Sequence, residues 1–524
     1  MRYWPRVILC LATLGLAGQR SLAADRELRI GVQSAFVADP HVLFLGPNMA
    51  FARHLYDSFV GKDADARWTP ALATSWRQID PQTWEFTLRP GVRFSDGSLF
   101  SSEDVVASVR RIPSIPNNPG PYTTNLRTIT STVAVDPLTI RVTTDRPNPL
   151  LPGQFTNIFI LPKSVVGAPP EEFSAARATI GTGPFRLVSF RYGDTAELEP
   201  NPYYWGAATP WKHVRIRVIG NDGAREAALL AGDLDLIENV LPEDVARLRS
   251  TPGIAVFARP ADRVAFLLPN VGHDTLPLLT DRQGHPLPDN PLRDLRVRQA
   301  MSLALDRKAI VERALSGQGA ATMQLVPEGF GGWDPAVPVP KVDSAAARAK
   351  LAEAGFPEGF GMTLACPNDR WVSDARVCQV VAQMLSRAGF AMKVDTMPGS
   401  VFFPRSRVGK NEWPLIMYEL SLSSLRDGQY ILQLVGETHD DARAIGDSNR
   451  GGFSDPMLDR IIEAAVVRSD AGREAAIRNA LAETVARLGV IPMYVEPTIA
   501  ATRGGIVYHP RLDQQLVATE AVPP

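Results

Sequence analysis

The clearest alternation of hydrophobic and polar residues lies between residues 84 and 112. Apolar side chains at every second position of residues 84–88 predict a strand with one buried face and one exposed face. A Pro-Gly pair ends this strand, and a shorter alternation at residues 92–94 predicts a second strand before a tight Ser-Asp-Gly turn. Ser101 stands three residues before Asp104 as a capping box, and apolar residues follow at helical spacing. The segment therefore predicts a hairpin that leads into a helix.

A second pattern, in the C-terminal half, predicts strands that alternate with a helix. Apolar runs at residues 362–365, 391–395 and 414–418 are typical of short buried strands, and residues 373–387 carry apolar side chains at helical spacing. This order predicts a βαβ unit with a third strand beside it. In such open α/β sheets, ligands bind beyond the carboxyl ends of the strands, near helix N-termini. We therefore expect an α/β protein with a binding site at this edge of the sheet.

The residues that follow these three strands are the candidates for ligand binding. They are Asn368, Asp369, Arg370, Trp371, Phe402, Phe403, Glu419, Ser421 and Ser423. Trp371 and Phe402 offer flat apolar surface to a ligand, while Arg370 and Glu419 can pair with its charged ends. Ordinary surface salt bridges explain Arg370 and Glu419 equally well.

The N-terminal segment has the three parts of a secretory signal peptide. Arg2 and Arg6 precede an apolar run at residues 7–17, and small residues follow at residues 21–24. The apolar run is shorter than the roughly 20 residues that span a bilayer. We therefore expect a signal peptide at residues 1–24, cleaved after residue 23 or 24, and a protein of the periplasm of a Gram-negative cell.

Length and charge limit the class of protein. The chain has 524 residues, and the part that follows the signal peptide exceeds the size of a single hydrophobic core, which predicts two or three lobes. The formal net charge is −1 at pH 7. Such a balance gives no reason to expect nucleic acid or a membrane surface as a partner.

Two cysteines, Cys366 and Cys378, stand outside the predicted signal peptide. In an oxidising compartment they can form a disulfide that closes a short loop. In the chain-entropy model such a bond stabilises the folded protein by about 3 kcal/mol. Two buried thiols are the alternative, because the sequence does not give the distance between the two Cα atoms.

The motifs of common hydrolases and nucleotide-binding enzymes are absent from the sequence. It contains no G-x-S-x-G, H-E-x-x-H, G-x-x-x-x-G-K-[ST] or C-x-x-C. His439 stands beside Asp440 and Asp441, but no further ligand follows at metal-binding spacing. We therefore expect a protein without catalytic residues, metal or cofactor. A secreted hydrolase remains the alternative from a different class.

Several blocks of the sequence occur in an order that is itself informative. W-E-F-T-L-R-P-G-V-R-F-S-D-G occupies residues 84–97, G-T-G-P-F residues 181–185, N-P-Y-Y-W-G residues 201–206 and I-P-M-Y residues 491–494. These blocks resemble those of the dipeptide/oligopeptide family of solute-binding proteins, solute-binding protein family 5, whose members are the receptors of bacterial ABC importers. The resemblance covers nearly the whole chain after the signal peptide.

The resemblance implies a periplasmic-binding-protein fold of the large three-lobed type. Lobe I would combine residues 25–57, 180–263 and 498–524, lobe II would be an insertion of residues 58–179, and lobe III would span residues 264–497. A small solute is expected between lobes I and III, where its capture closes the cleft. The closed protein, a monomer, would then deliver the solute to permease subunits in the inner membrane.

The resemblance also implies ligand contacts that the strand ends do not supply. They come from Phe36, Tyr122, Asn449, Arg450 and Tyr494. Tyr122 lies in a loop rich in proline, glycine and asparagine, where an ordinary loop tyrosine is the alternative. Asn449 and Arg450 either reach the ligand or hold a turn.

One departure from the family concerns the ligand. Peptide-binding members carry W-x-x-D-Y-x-D-P just after the third strand, where an aspartate holds the α-amino group of the ligand. This chain has E-L-S-L-S-S-L-R-D-G at residues 419–428, with serine near the position of that aspartate. Glu419 is our hypothesis for the anionic partner. A peptide or modified peptide is the leading expectation, and glutathione, an opine, a sugar, a metal chelate and haem remain open.

Overall fold

The computed structural model describes residues 26–118, 120, 122–422 and 425–524. The predicted signal peptide at residues 1–24 and the candidate Ser423 lie outside these residues. Within the described ranges, no helix is both long and apolar enough to cross a bilayer.

The strands are short except for two that exceed twelve residues. In chain order they are β1 (Glu27–Val32), β2 (Gly61–Lys62), β3 (Trp68–Thr69), β4 (Ala73–Asp80), β5 (Thr83–Leu88), β6 (Ile129–Asp136), β7 (Thr139–Thr144), β8 (Phe185–Arg191), β9 (Thr195–Pro200), β10 (His213–Val218), β11 (Leu236–Ile237), β12 (Ile254–Pro269), β13 (Ala320–Ala321), β14 (Gly361–Pro367), β15 (Ala391–Met397), β16 (Leu415–Ser421), β17 (Ile491–Arg503), β18 (Val507–Tyr508) and β19 (Ala521–Val522).

One large mixed sheet joins strands from distant parts of the chain. Its order is β15-β14-β16-β12-β17-β11-β1-β10-β9-β8, with β13 paired to β17. β1 runs parallel to β10 and β11, and β14 runs parallel to β15 and β16. The long strands β12 and β17 pair antiparallel, with an irregularity between Pro260 and Val264. These two strands therefore connect two parallel sheet regions, each with its own set of strand ends.

The helices cover the faces of these sheets. In chain order they are α1 (Gly46–Leu55), α2 (Ser102–Ser114), α3 (Leu151–Gln154), α4 (Pro170–Ser174), α5 (Asp222–Ala231), α6 (Val245–Arg249), α7 (Leu295–Ala304), α8 (Arg307–Ala314), α9 (Ser344–Glu353), α10 (Asp374–Arg387), α11 (Gly399–Arg405), α12 (Gln429–Ile431), α13 (Pro456–Val466) and α14 (Arg473–Ala486).

Apolar side chains gather into three large cores, which we use to name the lobes. The core of lobe III is built mainly from residues between Val264 and Val495. The core of lobe I combines β1, α1 and β8 to β10 with residues near the C-terminus. The core of lobe II lies between Phe59 and Ile160, against a separate four-stranded sheet of order β4-β5-β7-β6. The lobe boundaries predicted from the sequence remain a prediction.

The alternation at residues 84–112 has the structure that it predicts, with one exception. β5 forms, and the backbone N–H of Ser101 donates to the Asp104 carboxylate over 2.8 Å at the start of α2. The second strand predicted at residues 92–94 is wrong. This segment makes only an isolated bridge between Arg93 and Leu99, because the Ser-Asp-Gly turn follows too closely for a longer ladder.

Candidate functional site

A cleft with a volume of about 670 Å³ lies between lobes I and III. Segments from both lobes line it: residues 33–34, 46–50, 220–222 and 238–243 from lobe I, and residues 368–376 from lobe III, with Arg263, Glu496, Asp513 and Gln514 at the junction. The volume falls in the range of small-ligand sites, roughly 300–1,000 Å³. The cleft is therefore the candidate functional site.

The lobe III wall is the loop at residues 368–373, between β14 and α10. The Asp374 carboxylate accepts the backbone N–H groups of Arg370 and Trp371 over 3.0 and 3.1 Å, and the Glu496 carboxylate accepts that of Val372 over 2.8 Å. Ser373 has a left-handed backbone with φ +54°. Buried carboxylates thus hold this loop in one conformation, which sets the positions of its side chains.

A disulfide brackets the same loop. It joins Cys366, near the end of β14, to Cys378, in the second turn of α10, with Cα atoms 6.7 Å apart. Both cysteines are fully buried in the core of lobe III. The loop therefore leaves and re-enters the lobe at two points that are covalently tied.

Arg370 lies in this loop with an exposed side chain that faces the cleft. Among the described residues, its guanidinium has no ion-pair partner. Nearby atoms displace water from it and Arg263 adds a like charge, so the pKa of Arg370 is lowered from its ordinary value. An arginine nevertheless stays charged at neutral pH. The cleft thus contains a cation that forms no ion pair with any carboxylate of the described residues.

Trp371 lines the cleft beside Arg370 and backs onto an aromatic cluster. Its ring packs edge-on against Tyr418 and Phe402, with centroids 5.5 and 6.4 Å apart, and only 8% of its surface is exposed. The indole Nε1 is buried without a hydrogen-bond partner. Phe402 itself is fully buried behind Trp371 and does not line the cleft.

Glu419 lies below the cleft, not on its wall. It is 2% exposed on β16, opposite Ala265, and the Tyr494 hydroxyl donates to its Oε1 over 2.8 Å. Its Oε2 has no hydrogen-bond partner. Burial raises the pKa of Glu419 well above its ordinary value, and the negative charge of Glu496 raises it further. The folded protein therefore favours the protonated carboxyl.

Replacing Glu419 with glutamine is expected to remove part of the pH dependence of stability. A carboxyl whose pKa is raised in the folded state stabilises that state below its unfolded pKa of about 4.3, and this contribution is lost as pH rises toward the folded pKa. Urea denaturation at several pH values should show the free energy of unfolding of the wild type falling more steeply above this pH than that of Glu419→Gln. Parallel pH profiles of the two proteins would contradict this expectation.

The remaining candidates take part in packing and internal hydrogen bonds. Phe36 stacks on Phe51 in lobe I with centroids 4.2 Å apart, and Tyr122 is fully buried in the core of lobe II. The Ser421 hydroxyl donates to Asp262 over 2.6 Å. The Asn449 amide donates to the backbone carbonyls of Glu437 and Phe453. The structure does not bring these residues to the wall of the cleft.

Arg450 is held in the aromatic cluster of lobe III. Its guanidinium lies over the Tyr418 ring, 4.7 Å from the centroid, and donates to the Phe403 carbonyl and the Ser406 hydroxyl. Of the residues predicted to bind the ligand, Asn368, Asp369, Arg370 and Trp371 are those that the structure brings together on the cleft wall. Within the described ranges, no group of His, Cys, Asp and Glu has the geometry of a metal site.

The lobe I wall carries polar residues that the sequence analysis missed. Gln33 directly follows β1, and Glu238 and Asn239 directly follow β11, which is parallel to β1. The rule that selected the ends of the lobe III strands applies equally to these. If the strand-end rule is applied to β1 and β11, it selects Gln33, Glu238 and Asn239.

Comparisons with known proteins agree with this geometry. The model of the bacterial extracellular solute-binding proteins, family 5, middle region, matches residues 67–442. The chain belongs to this family. The glutathione-binding protein GsiB of Salmonella paratyphi A is 27% identical over 398 residues, which cover 74% of this chain and 73% of that protein. The predicted family is thus confirmed.

Two solved structures establish the fold. The murein tripeptide-binding protein MppA, in its unliganded open form, has a TM-score of 0.76 and 20% identity, over 95% of this chain and 97% of that chain. NikA from Brucella suis, in complex with Fe(III)-EDTA, has a TM-score of 0.79 and 19% identity, over 95% of this chain and 100% of that chain. The predicted α/β periplasmic-binding-protein fold is confirmed. These relatives bind solutes, and members of the family are the ligand-binding components of ABC importers.

Proposed function

We propose that this protein is the periplasmic receptor for a peptide or modified peptide, works as a monomer and delivers its ligand to the permease of an ABC importer. The observation that carries the proposal is Arg370, which forms no ion pair within the described ranges and faces a cleft that two lobes share. A peptide carboxylate is a suitable partner, because arginine binds carboxylates through two parallel hydrogen bonds. Asn368 and Trp371 would contact the ligand beside it.

The connections between the lobes support a mechanism of cleft closure. β12 and β17 run from one lobe to the other, and their pairing is irregular between Pro260 and Val264, where the strands can bend. Arg376 of lobe III and Glu243 of lobe I form an ion pair of 3.8 Å across the cleft. A ligand that contacts both walls favours the closed state, which the permease would then recognise.

Two features favour a modified peptide among the solutes that were left open. The serine-rich segment after β16 lacks the aspartate that holds the α-amino group in peptide-binding members. The curated relative GsiB is named for glutathione, a tripeptide with an unusual linkage. A solute of this size also fits a cleft of about 670 Å³.

Thermal and chemical unfolding with a panel of solutes tests this function. The panel contains glutathione, trialanine, agropinic acid, maltose, haem and a nickel–histidine chelate. We expect one of the two peptides, at about 100 times its Kd, to raise the free energy of unfolding by about 2.7 kcal/mol. Mass spectrometry should recover that ligand unchanged. Stabilisation by maltose, haem, agropinic acid or the chelate alone would contradict the peptide proposal, and turnover of the ligand would indicate the hydrolase.

A further inference from the structure

The charged residues of the cleft are almost all paired within the protein. On the lobe III side, Arg263 and Glu496 form an ion pair of 3.0 Å, and Glu496 also accepts the Gln514 amide over 2.8 Å. Both oxygens of Asp374 accept backbone N–H groups. Arg376 pairs with Glu243 across the cleft. These groups have their hydrogen bonds without a ligand.

Arg370 is an exception on the lobe III wall, since no carboxylate pairs with it among the described residues. The Asp369 carboxylate beside it accepts the backbone N–H of Gly399 over 2.7 Å. Glu238 is the corresponding exception on the lobe I wall. Of the lobe I carboxylates that line the cleft, Asp222 pairs with Arg225 over 2.6 Å and Glu243 pairs with Arg376. A third, Asp513, pairs with Arg511 over 3.0 Å. Glu238 accepts only the backbone N–H of Gln33, over 2.8 Å at its Oε1, and forms no ion pair within the described ranges.

The position of Glu238 is fixed by its neighbours. The side chain of Asn239 donates to that of Gln33 over 3.0 Å, which ties the end of β11 to the end of β1. Asn239 also has a left-handed backbone, with φ +52°. Strained backbone of this kind is retained where surrounding contacts require it, and it is frequent at ligand sites. The carboxylate is therefore held toward the cleft by a rigid turn.

We infer that Glu238 recognises a cationic group of the solute while Arg370 binds its carboxylate, so that the ligand is a zwitterion with its cationic end on lobe I. This inference rests on the proposed function and adds the orientation of the ligand. A partly buried carboxylate that forms no ion pair has lost hydration, and an ammonium or guanidinium group in direct contact compensates for that loss. Because each lobe binds one end, only a solute that carries both charges draws the two walls together.

The test compares Glu238→Gln with the wild type by isothermal titration calorimetry. The probes are glutathione, trialanine, N-acetyl-trialanine and trialanine amide, so that the cationic end and the carboxylate are removed in turn. We expect the variant to bind the zwitterions about 10- to 30-fold more weakly, which is the effect of one charge-assisted hydrogen bond. N-acetyl-trialanine should bind the wild type weakly, and its affinity for Glu238→Gln should be the same as for the wild type.

Two further variants make the result specific. Asp233→Asn removes an exposed carboxylate from the same segment of lobe I, away from the cleft, and should keep the wild-type affinity. Glu238→Asp keeps the charge on a shorter side chain and should lose less affinity than Glu238→Gln. Circular dichroism and thermal unfolding confirm that each variant is folded.

The outcomes separate this inference from the proposed function. If the wild type binds a zwitterionic peptide and Glu238→Gln binds it equally well, the inference is overturned and the peptide receptor stands. Equal affinity of the wild type for trialanine and its N-acetyl form also overturns the inference. A wild type that binds none of the peptides overturns both.

Discussion

Arg370→Met is expected to weaken binding of the peptide ligand by about 100-fold. The substitution keeps much of the apolar stem of the side chain but removes the guanidinium that faces the cleft. Two parallel charge-assisted hydrogen bonds to a carboxylate are lost, and each such bond contributes about 1.5–3 kcal/mol at most. Isothermal titration calorimetry with glutathione and trialanine measures the change in Kd.

Arg282→Met is the matched control for this experiment. Arg282 is an exposed arginine of lobe III that does not line the cleft, so its loss should leave the Kd unchanged. Trialanine amide provides a second control, because a ligand without a carboxylate should lose little affinity when Arg370 is replaced. Wild-type affinity of Arg370→Met for every peptide would remove Arg370 from the site.

The strand-end rule leads to the cleft wall at the loop after β14 because this loop is also the turn into a helix. The loop joins the carboxyl end of a parallel strand to the N-terminus of α10, so Asn368 and Arg370 lie exposed at the edge of the sheet, while Trp371 packs onto the aromatic cluster. The rule depends only on topology, and topology follows from the alternation of apolar strands with an amphipathic helix.

The same rule did not distinguish wall residues from residues one layer deeper. Phe402 follows β15 but belongs to α11, whose apolar side turns the ring toward Trp413 in the core. Glu419 is a residue of β16 itself, and its side chain is buried with the Tyr494 hydroxyl of β17 against it. Depth below a surface depends on packing between distant segments, which a local pattern does not contain.

The residues that the family resemblance suggested as ligand contacts also lie deeper than the cleft wall. Tyr122 stands in a loop that packs on Phe44, with ring centroids 4.9 Å apart, and is buried by it. Tyr494 lies near the start of β17 with its hydroxyl directed to Glu419. Family blocks identify positions that recur in sequence, but whether each side chain serves the core or the cleft is decided by its neighbours in space.

The disulfide illustrates what three-dimensional packing adds to a correct pattern. From the sequence alone, Cys366 and Cys378 could form a disulfide or remain two buried thiols. The strand and the helix predicted around them are confirmed, but the distance between the cysteines follows from how α10 packs on β14. In the structure this packing brings the two Cα atoms to 6.7 Å, within the range that a disulfide spans.

Replacing both cysteines, as Cys366→Ala with Cys378→Ala, is expected to lower the free energy of unfolding of lobe III by about 3 kcal/mol. The bond closes a loop with a sequence separation of 12 residues, so its loss returns conformational freedom to the unfolded chain. Because the loop carries Arg370 and Trp371, the variant should also bind peptide more weakly. Urea denaturation and calorimetry measure the two effects.

The reduced wild type separates the bond from the side chains. A reductant acting on the wild type breaks the bond but keeps both sulfur atoms in the core, so it should reproduce the loss of stability while adding no cavity. The double variant should be insensitive to the reductant. If the reduced wild type and the double variant kept the stability of the oxidised protein, the disulfide would not constrain lobe III. A loss of stability with unchanged peptide affinity would instead mean that Asp374 and Glu496 suffice to hold the loop, because their hydrogen bonds to its backbone do not depend on the sulfur atoms.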